Sequence, residues 1–351
     1  MKSHSFTFIP SILLALFFML TLLSCNNSPK SNTDDETDIP NRPKVGLALG
    51  GGGAKCAAQI GVLKELDKMG IKIDCIAGSS MGAVIGCLYA AGYTPDNIED
   101  FMLHEKWMRI FDKDSINKWN LFKDNSKNSY HWSGLIRRPY FRDCLYAKLE
   151  DKKGRVFEKL KIPFRCTATI FEKYDVSPYV FEEGVVANAV TASMSHPIYF
   201  TEWNHEGKAL YDGGILNNLP VDVVRDMQPK PDFVIAIDVE NDENLFNNEI
   251  KLDELMKIVE FVTDWPILSL ISIASDSCPY VAPIKDWLQN RQDETLRHQF
   301  IEEAETNDSL IYIHIQLPDC DISDYDRCEY MIQEGENAVK EHRSELEKLL
   351  K

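Results

Sequence analysis

Short apolar runs alternate with amphipathic stretches along most of the chain, and this pattern predicts alternating strands and helices. Residues 45–49 (VGLAL) form an apolar run of strand length, and residues 54–69 carry apolar side chains at helical spacing up to Gly70. A second apolar run at residues 73–77 leads into a helix rich in alanine, glycine and leucine that reaches residues 89–91. Because parallel strands need crossover connections, this order predicts a parallel sheet covered by helices on both faces.

Four later apolar runs fit the same sheet, and the chain ends in an amphipathic helix predicted over residues 326–351. The runs lie at residues 164–170, 179–181, 233–239 and 310–317. The apolar face of the last helix consists of Met331, Ile332, Ala338, Leu346 and Leu349. We therefore predict an α/β fold with three layers, α/β/α, around a central and mainly parallel sheet. The predicted catalytic core covers residues 43–240, and residues 241–351 complete the same domain.

Two stretches fit this scheme less directly. Residues 101–140 are rich in aromatic side chains, and residues 244–300 contain the apolar run at 265–271. Each stretch is compatible with a lid or lipid-facing wall, and also with a buried helix that covers the core. The sequence leaves both interpretations open.

The first 25 residues resemble a secretory signal of the lipoprotein type. Lys2 precedes an apolar run at residues 6–23, which is short for a membrane-spanning helix. The run closes with LLSC at residues 22–25, similar to the bacterial lipobox, in which the cysteine carries the lipid. Residues 1–25 are therefore predicted to be a signal peptide that ends at the lipid-attachment residue Cys25, with an uncleaved anchor as the alternative. Both interpretations tether the protein to a membrane. The lipid-anchored form is predicted to lie in the bacterial cell envelope, on the periplasmic side or at the surface.

Residues 26–42 are predicted to form a flexible acidic tether. They are rich in Asn, Ser, Asp and Pro and nearly lack apolar residues, so they cannot bury enough surface to fold. The acidic run at residues 34–38 is either a solvated charge cluster or a surface-export signal. The net charge of the whole chain, −17, argues against a nucleic acid partner and against electrostatic adsorption to anionic lipid. Contact with a membrane would have to be local and apolar.

The cysteine pattern argues against a zinc site. The chain has nine cysteines but no CxxC motif, so no metal is predicted. Four cysteines lie in apolar segments and are predicted to be buried free thiols, namely Cys56, Cys75, Cys87 and Cys166. Cys320 and Cys328 are close enough in sequence to pair, although spacing alone does not establish a disulfide.

The turn GSSMG at residues 78–82 has the form required of a nucleophilic serine. Acyl transfer needs a hydroxyl held clear of the backbone on a sharp turn from strand to helix, and Gly78 and Gly82 remove side chains that would clash there. The following helix directs free N–H groups and its positive dipole end towards Ser80. The motif alone is weak, but its place between an apolar strand and an alanine-rich helix strengthens it.

A glycine run at residues 50–53 follows the first strand. Backbone N–H groups in such a run can point into a cavity and meet an oxyanion. A P-loop would need Gly-Lys-Ser/Thr where residues 54–56 read AKC, and a dinucleotide-binding fingerprint would need glycine in place of Cys56. A merely structural loop is the remaining alternative. A third element, DGG at residues 212–214, would by itself be interpreted as a turn.

Together the three motifs resemble one family. GGGAK at residues 51–55, GxSxG at 78–82 and DGG at 212–214 stand in the order and spacing of patatin-like phospholipases. Three neighbouring segments are also similar to that family, namely IGVL (60–63), ASMSHP (192–197) and NNLP (217–220). The resemblance covers about residues 44–239 well, and the rest only through the C-terminal helix.

The resemblance implies a serine/aspartate dyad. Ser80 would be the nucleophile, Asp212 would take its proton, and water would hydrolyse the acyl-enzyme. Since a free aspartate titrates near ~3.9, Asp212 would need burial to raise its pKa and become an effective base. The oxyanion hole would be formed by the N–H groups of Gly51, Gly52 and Gly53, and the supporting motif residues would be Lys55, Gly78, Gly82, Gly213 and Gly214.

The implied function is hydrolysis of carboxylic ester bonds in phospholipids or lysophospholipids, without a metal or other cofactor. The chain departs from the family at Lys55 and Cys56, where Arg-Gly is usual. Lysine keeps the charge but not the planar fork of arginine, and Cys56 adds a side chain to the loop. Three alternatives remain: an α/β-hydrolase triad that uses His314, a catalytically silent lipid-binding protein, and an acyltransferase on the same scaffold.

Overall fold

The computed structural model of the protein describes residues 42–104, 138–172, 175–196, 200, 203–240 and 292–351. Its strands are β1 (Val45–Leu49), β2 (Cys75–Gly78), β3 (Phe164–Glu172), β4 (Asp175–Phe181), β5 (Trp203–His205), β6 (Lys208–Asp212), β7 (Phe233–Asp238) and β8 (Leu310–His314). They form one sheet in the order β5-β6-β3-β2-β1-β7-β8, with β4 paired to β3. From β3 to β8 the neighbours are parallel, whereas β4, β5 and β6 pair antiparallel.

The principal helices are α1 (Ala57–Met69), α2 (Ser80–Ala90), α3 (Pro95–His104), α4 (Arg138–Asp151), α5 (Val186–Ser193), α6 (Val221–Arg225), α7 (Gln292–Ala304), α8 (Cys328–Glu341) and α9 (Arg343–Leu346). Strand residues alternate between the two faces of the sheet. Leu47 and Leu49 of β1 therefore join the apolar cluster that contains α1, α2 and α8, whereas Ala48 joins the cluster that contains α6 and α7. Helices thus cover both faces, and the predicted three-layer fold with a mainly parallel sheet is confirmed.

Several element boundaries differ from the predicted ones. A 3₁₀ turn over Gly53–Cys56 precedes α1, so that this helix begins at Ala57 and not at residue 54. Strand β2 begins at Cys75 and β8 ends at His314. The C-terminal helix predicted over residues 326–351 is divided into α8, α9 and a final 3₁₀ turn.

The hairpin formed by β5 and β6 is not predicted by the sequence. It turns through Glu206 and Gly207, which have positive φ angles of 52° and 83°. This is the backbone of a two-residue hairpin turn, for which Asn-Gly or Asp-Gly is the usual signal. The Glu-Gly pair in this chain is a weaker signal, and β5 has only three residues.

Helices α1 and α8 cross at two glycines. A Cβ atom added at Gly335 would overlap the carbonyl oxygen of Ala58, and one added at Gly61 would overlap the carbonyl oxygen of Ile332. Only glycine allows the two backbones to approach this closely.

Replacing Gly335 with alanine is therefore expected to lower the free energy of unfolding by about 3 kcal/mol, because the added methyl group forces the helices apart. Helix propensity alone would favour alanine by about 1 kcal/mol, so the sign of the change is informative. Urea unfolding measures it, with Gln333→Ala on the exposed side of the same helix as the control. A stabilised Gly335→Ala protein would contradict the close crossing.

The remaining predictions about chain organisation concern other parts of the sequence. The signal peptide with Cys25, the acidic tether up to residue 41, the apolar run at residues 265–271 and most of the aromatic stretch at 101–140 lie outside the described residues. Arg42, predicted as the last tether residue, forms an ion pair with Asp74 instead, because its guanidinium meets a carboxylate directly before β2. Within the described ranges, no helix is both long enough and apolar enough to cross a membrane.

Candidate active site

Ser80 lies at the sharp junction between β2 and α2. Ser79 is extended, with φ −121° and ψ 139°, and Ser80 then has a positive φ of 51°. This left-handed conformation is unfavourable for a residue with a side chain and costs on the order of 1–3 kcal/mol. The Ser80 N–H donates to the Ser193 hydroxyl at 2.9 Å, which holds the strained residue in place.

The glycines on either side of Ser80 permit close backbone contacts. A Cβ atom at Gly78 would lie 2.7 Å from Cα of Ala83. One at Gly82 would lie 2.5 Å from the carbonyl oxygen of Gly50, at the start of the glycine run. The same two glycines thus make room for the turn and for the glycine run above it.

Asp212 is the last residue of β6, the second strand from one edge of the sheet. Its N–H donates to the Ser195 carbonyl oxygen at 3.1 Å, and its carbonyl oxygen accepts from the Thr169 hydroxyl at 2.9 Å. These backbone contacts fix the direction of the side chain, which is only 3% exposed. At Gly213 a Cβ atom would overlap Thr167, so the chain can turn here only with glycine.

The two side chains meet directly. The Ser80 hydroxyl donates to Oδ2 of Asp212 at 2.8 Å, and Oδ1 of Asp212 accepts from the Gly214 N–H at 2.8 Å. Burial raises the pKa of Asp212 to about 7, although both hydrogen bonds oppose this increase. A carboxylate with a pKa near neutral pH is suited to accept a proton from a hydroxyl.

The alternative triad base, His314, lies in a different cluster. Its Nε2 is 2.7 Å from the carbonyl oxygen of Glu240 and 3.3 Å from the Arg297 guanidinium. Arg297 in turn forms a buried ion pair with Asp238 at 2.5 Å. The direct contact between Ser80 and Asp212 leaves no place for an imidazole between them.

The first peptide group of the glycine run, between Gly50 and Gly51, is held by hydrogen bonds at both ends. The Gly50 carbonyl oxygen accepts from Gln59 Nε2 at 2.6 Å and from the Cys56 thiol at 3.4 Å. The Gly51 N–H donates to the Asn218 carbonyl oxygen at 3.2 Å. Of the three proposed oxyanion donors, the Gly51 N–H is therefore already bonded within the protein.

The next two amides are available as donors. The Gly52 carbonyl oxygen accepts from the Lys55 N–H at 3.2 Å, and within the described residues neither the Gly52 nor the Gly53 N–H has a hydrogen-bond partner. Their φ angles of 158° and 57° are conformations that favour glycine. A Cβ atom at Gly51 would lie 2.9 Å from Cβ of Ser80, so the run passes directly over the hydroxyl-bearing residue.

The two positions that depart from the family pattern are both buried. The Cys56 side chain is fully buried under the loop, and burial raises the pKa of its thiol, so that it acts as a neutral donor to Gly50. The Lys55 side chain is 3% exposed. The extra side chain of Cys56 is therefore accommodated beneath the glycine run.

Cys320 and Cys328 are both free thiols, so the pairing considered from their spacing does not occur.

Three polar residues support the site without having been assigned a role from the sequence: Gln59, Ser193 and Asn218. Ser193 and Asn218 lie within segments that resemble the family, but only their contacts reveal what they hold. Across the described ranges, no group of three or more His, Cys, Asp or Glu side chains is arranged to hold a metal ion.

Known proteins share the region that contains these motifs. The patatin-like phospholipase family model matches residues 47–225. A patatin-like phospholipase domain-containing protein of Caenorhabditis elegans is 32% identical over 197 residues, which are 56% of this chain and 13% of that protein. An uncharacterized NTE family protein of Mycobacterium bovis is 32% identical over 202 residues, which are 57% of this chain and 50% of that protein. The chain thus spans half or less of the length of these relatives.

Among solved structures, VipD from Legionella pneumophila is similar to this chain with a TM-score of 0.42 and 14% identity, over 88% of this chain and 67% of that chain. The fold assignment above follows from the sheet topology of this protein itself. The family model, by contrast, covers just over half of the chain and includes the glycine run, the GxSxG turn and most of the sheet. The chain therefore belongs to the patatin-like phospholipase family, a family of lipid hydrolases.

Proposed function

We propose that the protein hydrolyses carboxylic ester bonds of phospholipids or lysophospholipids through Ser80 and Asp212. The observation that carries this proposal is the 2.8 Å contact between the Ser80 hydroxyl and the buried Asp212 carboxylate, beneath the available amides of Gly52 and Gly53. The family supports a lipid substrate.

In the first half of the reaction, Oγ of Ser80 attacks the ester carbonyl carbon while its proton moves to Oδ2 of Asp212. The carbonyl oxygen becomes an oxyanion, which the Gly52 and Gly53 N–H groups stabilise. The tetrahedral intermediate collapses, the carbon–oxygen bond to the leaving group breaks, and the proton passes from Asp212 to the departing alkoxide. An acyl-enzyme and a lysophospholipid or other alcohol result.

In the second half, water attacks the acyl-enzyme and gives its proton to Asp212. The second tetrahedral intermediate collapses, the bond to Ser80 breaks, and the proton returns to Oγ. A free fatty acid is released. An alcohol in place of water would give acyl transfer with the same residues, so only the products distinguish the two outcomes.

Fluorophosphonate labelling tests this proposal. We expect a phosphonyl adduct on Ser80, found by mass spectrometry of the labelled peptide, together with free fatty acid release from mixed phospholipid vesicles. Ser80→Ala should lose both, since no hydroxyl remains to attack.

The matched control is Ser79→Ala, because the Ser79 hydroxyl is buried and has no hydrogen-bond partner in the part of the chain that the structure describes. This variant should retain labelling and turnover. Unchanged turnover in Ser80→Ala would refute the assignment of the nucleophile. Esterified products in place of free acid would show an acyltransferase instead.

A further inference from the structure

The orientation of the Gly52 N–H depends on the carbonyl group that precedes it. A peptide group is planar and trans, so the carbonyl oxygen of Gly51 and the N–H of Gly52 point in opposite directions. Whatever holds the Gly51 carbonyl therefore also sets the direction of the Gly52 N–H. If this peptide flipped, a carbonyl oxygen would replace the donor in front of the oxyanion.

Glycine makes such a flip inexpensive. The run at residues 50–53 has no side chain to resist rotation about the backbone, and Gly52 and Gly53 already have φ angles that favour glycine. The preceding peptide is held at both ends, by Gln59 on the Gly50 carbonyl and by the Asn218 carbonyl on the Gly51 N–H. The Gly51–Gly52 peptide needs a partner of its own.

Asn218 supplies that partner. The side-chain Nδ2 of Asn218 lies 3.4 Å from the Gly51 carbonyl oxygen. The backbone carbonyl oxygen of Asn218 accepts a hydrogen bond from the Gly51 N–H. Its Oδ1 is wedged between two glycines, where a Cβ atom at Gly51 or Gly214 would lie 2.5 or 2.6 Å away. One side chain thus contacts both the glycine run and the turn that follows Asp212.

The Asn218 amide is itself anchored from the C-terminal part of the chain. Nδ2 is also 3.4 Å from Oε2 of Glu240, whose N–H donates to Asp238 at 2.9 Å. Asp238 is paired with Arg297 of α7 and accepts from the Tyr312 hydroxyl at 2.5 Å. These four residues lie beyond the region matched by the family model, which ends at residue 225.

We propose that Asn218 is a positioning residue that locks the Gly51–Gly52 peptide with the Gly52 N–H facing the oxyanion. Glu240 fixes the Asn218 amide by accepting from its Nδ2, and the buried pair of Asp238 and Arg297 in turn holds the backbone of Glu240. This inference rests on the proposed function, because it assigns the Gly52 N–H to the oxyanion hole. Asn218 does not touch the reacting atoms and acts only through the peptide that it holds.

The test compares Asn218→Ala with Asn217→Ala in the full-length protein. Asn217 is the matched control, because it is the same residue type in the same turn, but its side chain is buried and donates to Asp222 at 2.8 Å and not to the glycine run, whereas Asn218 is half-buried. Active sites are first titrated to completion with a fluorophosphonate, so that kcat is expressed per reactive Ser80. This separates a slower site from a smaller number of folded molecules.

We expect kcat per titrated site to fall about 100-fold in Asn218→Ala, as for the loss of one oxyanion donor, with KM changed less than about threefold. The affinity for a trifluoromethyl ketone, which forms a tetrahedral adduct with the serine, should fall by the same factor as kcat/KM. Asn217→Ala should stay within about threefold of wild type per site. Asn218→Asp retains the size of the side chain but replaces the donor with an acceptor, and should lose at least as much.

The outcomes separate the two proposals. Wild-type protein that is not labelled at Ser80 would overturn the proposed function and this inference with it. Labelled wild type, with an unchanged kcat per site in both Asn218 variants, would overturn the peptide lock alone. An equal loss in Asn217→Ala would also overturn it, because the effect would then be general to this turn.

Discussion

The Asp212→Asn protein is expected to hydrolyse phospholipid about 10³- to 10⁴-fold more slowly than wild type, measured as kcat per titrated site. Asparagine has nearly the same shape, so its Oδ1 can still accept from the Gly214 N–H. Its Nδ2, however, can only donate to the Ser80 hydroxyl and cannot take the proton. The nucleophile is then present and correctly placed, but it has no base.

Unfolding does not account for this loss. The pKa of Asp212 is raised from 3.8 to about 7 in the folded protein, so the unfolded chain releases this proton first as pH rises. This carboxyl group therefore lowers stability progressively between about pH 4 and pH 7, and asparagine removes that effect. At pH 8 the free energy of unfolding of Asp212→Asn should be no lower than that of wild type.

The control for this prediction is Asp226→Asn, the same chemical change at an exposed position. It should leave kcat unchanged. Equal rates for wild type and Asp212→Asn would rule out the buried carboxylate as the base, whatever the contact distance in the resting enzyme.

The second large effect is the pH dependence of the wild-type enzyme. Because the proposed reaction needs Asp212 ionised and burial raises its pKa to about 7, kcat/KM should fall about tenfold for each pH unit below 7 and level off above it. Between pH 7 and pH 4 the expected loss approaches a factor of about 10³. A substrate that does not titrate in this range, such as a neutral short-chain ester, keeps the profile interpretable.

The midpoint of this profile identifies the environment of the base. A midpoint near pH 4 would indicate a solvated aspartate and would contradict the burial of this side chain at 3% exposure. The residual activity of Asp212→Asn should lack the limb near pH 7 altogether. If the limb persisted in that variant, another titrating group would be responsible for it.

The sequence by itself determined the layout of the fold and which residues make up the candidate site. Continuous apolar strands such as residues 45–49 indicate burial on both faces, and the alternation of Leu47, Ala48 and Leu49 between two apolar clusters bears this out. Glycines at positions 78 and 82 indicate a sharp turn that bears a serine. These signals are local, because strand length, helix period and glycine spacing depend on near neighbours in the chain.

Only the tertiary structure decided which groups meet and how they are held. Asp212 reaches Ser80 through a hairpin whose Glu-Gly turn carries little signal, and 132 positions separate the two residues. The raised pKa of Asp212 results from burial by surrounding elements, and not from any residue beside it in sequence. The hold of Asn218 on Gly51 likewise joins positions 167 residues apart. Such contacts depend on how the sheet edge, the glycine run and the C-terminal segment pack together, which a local pattern of residues does not encode.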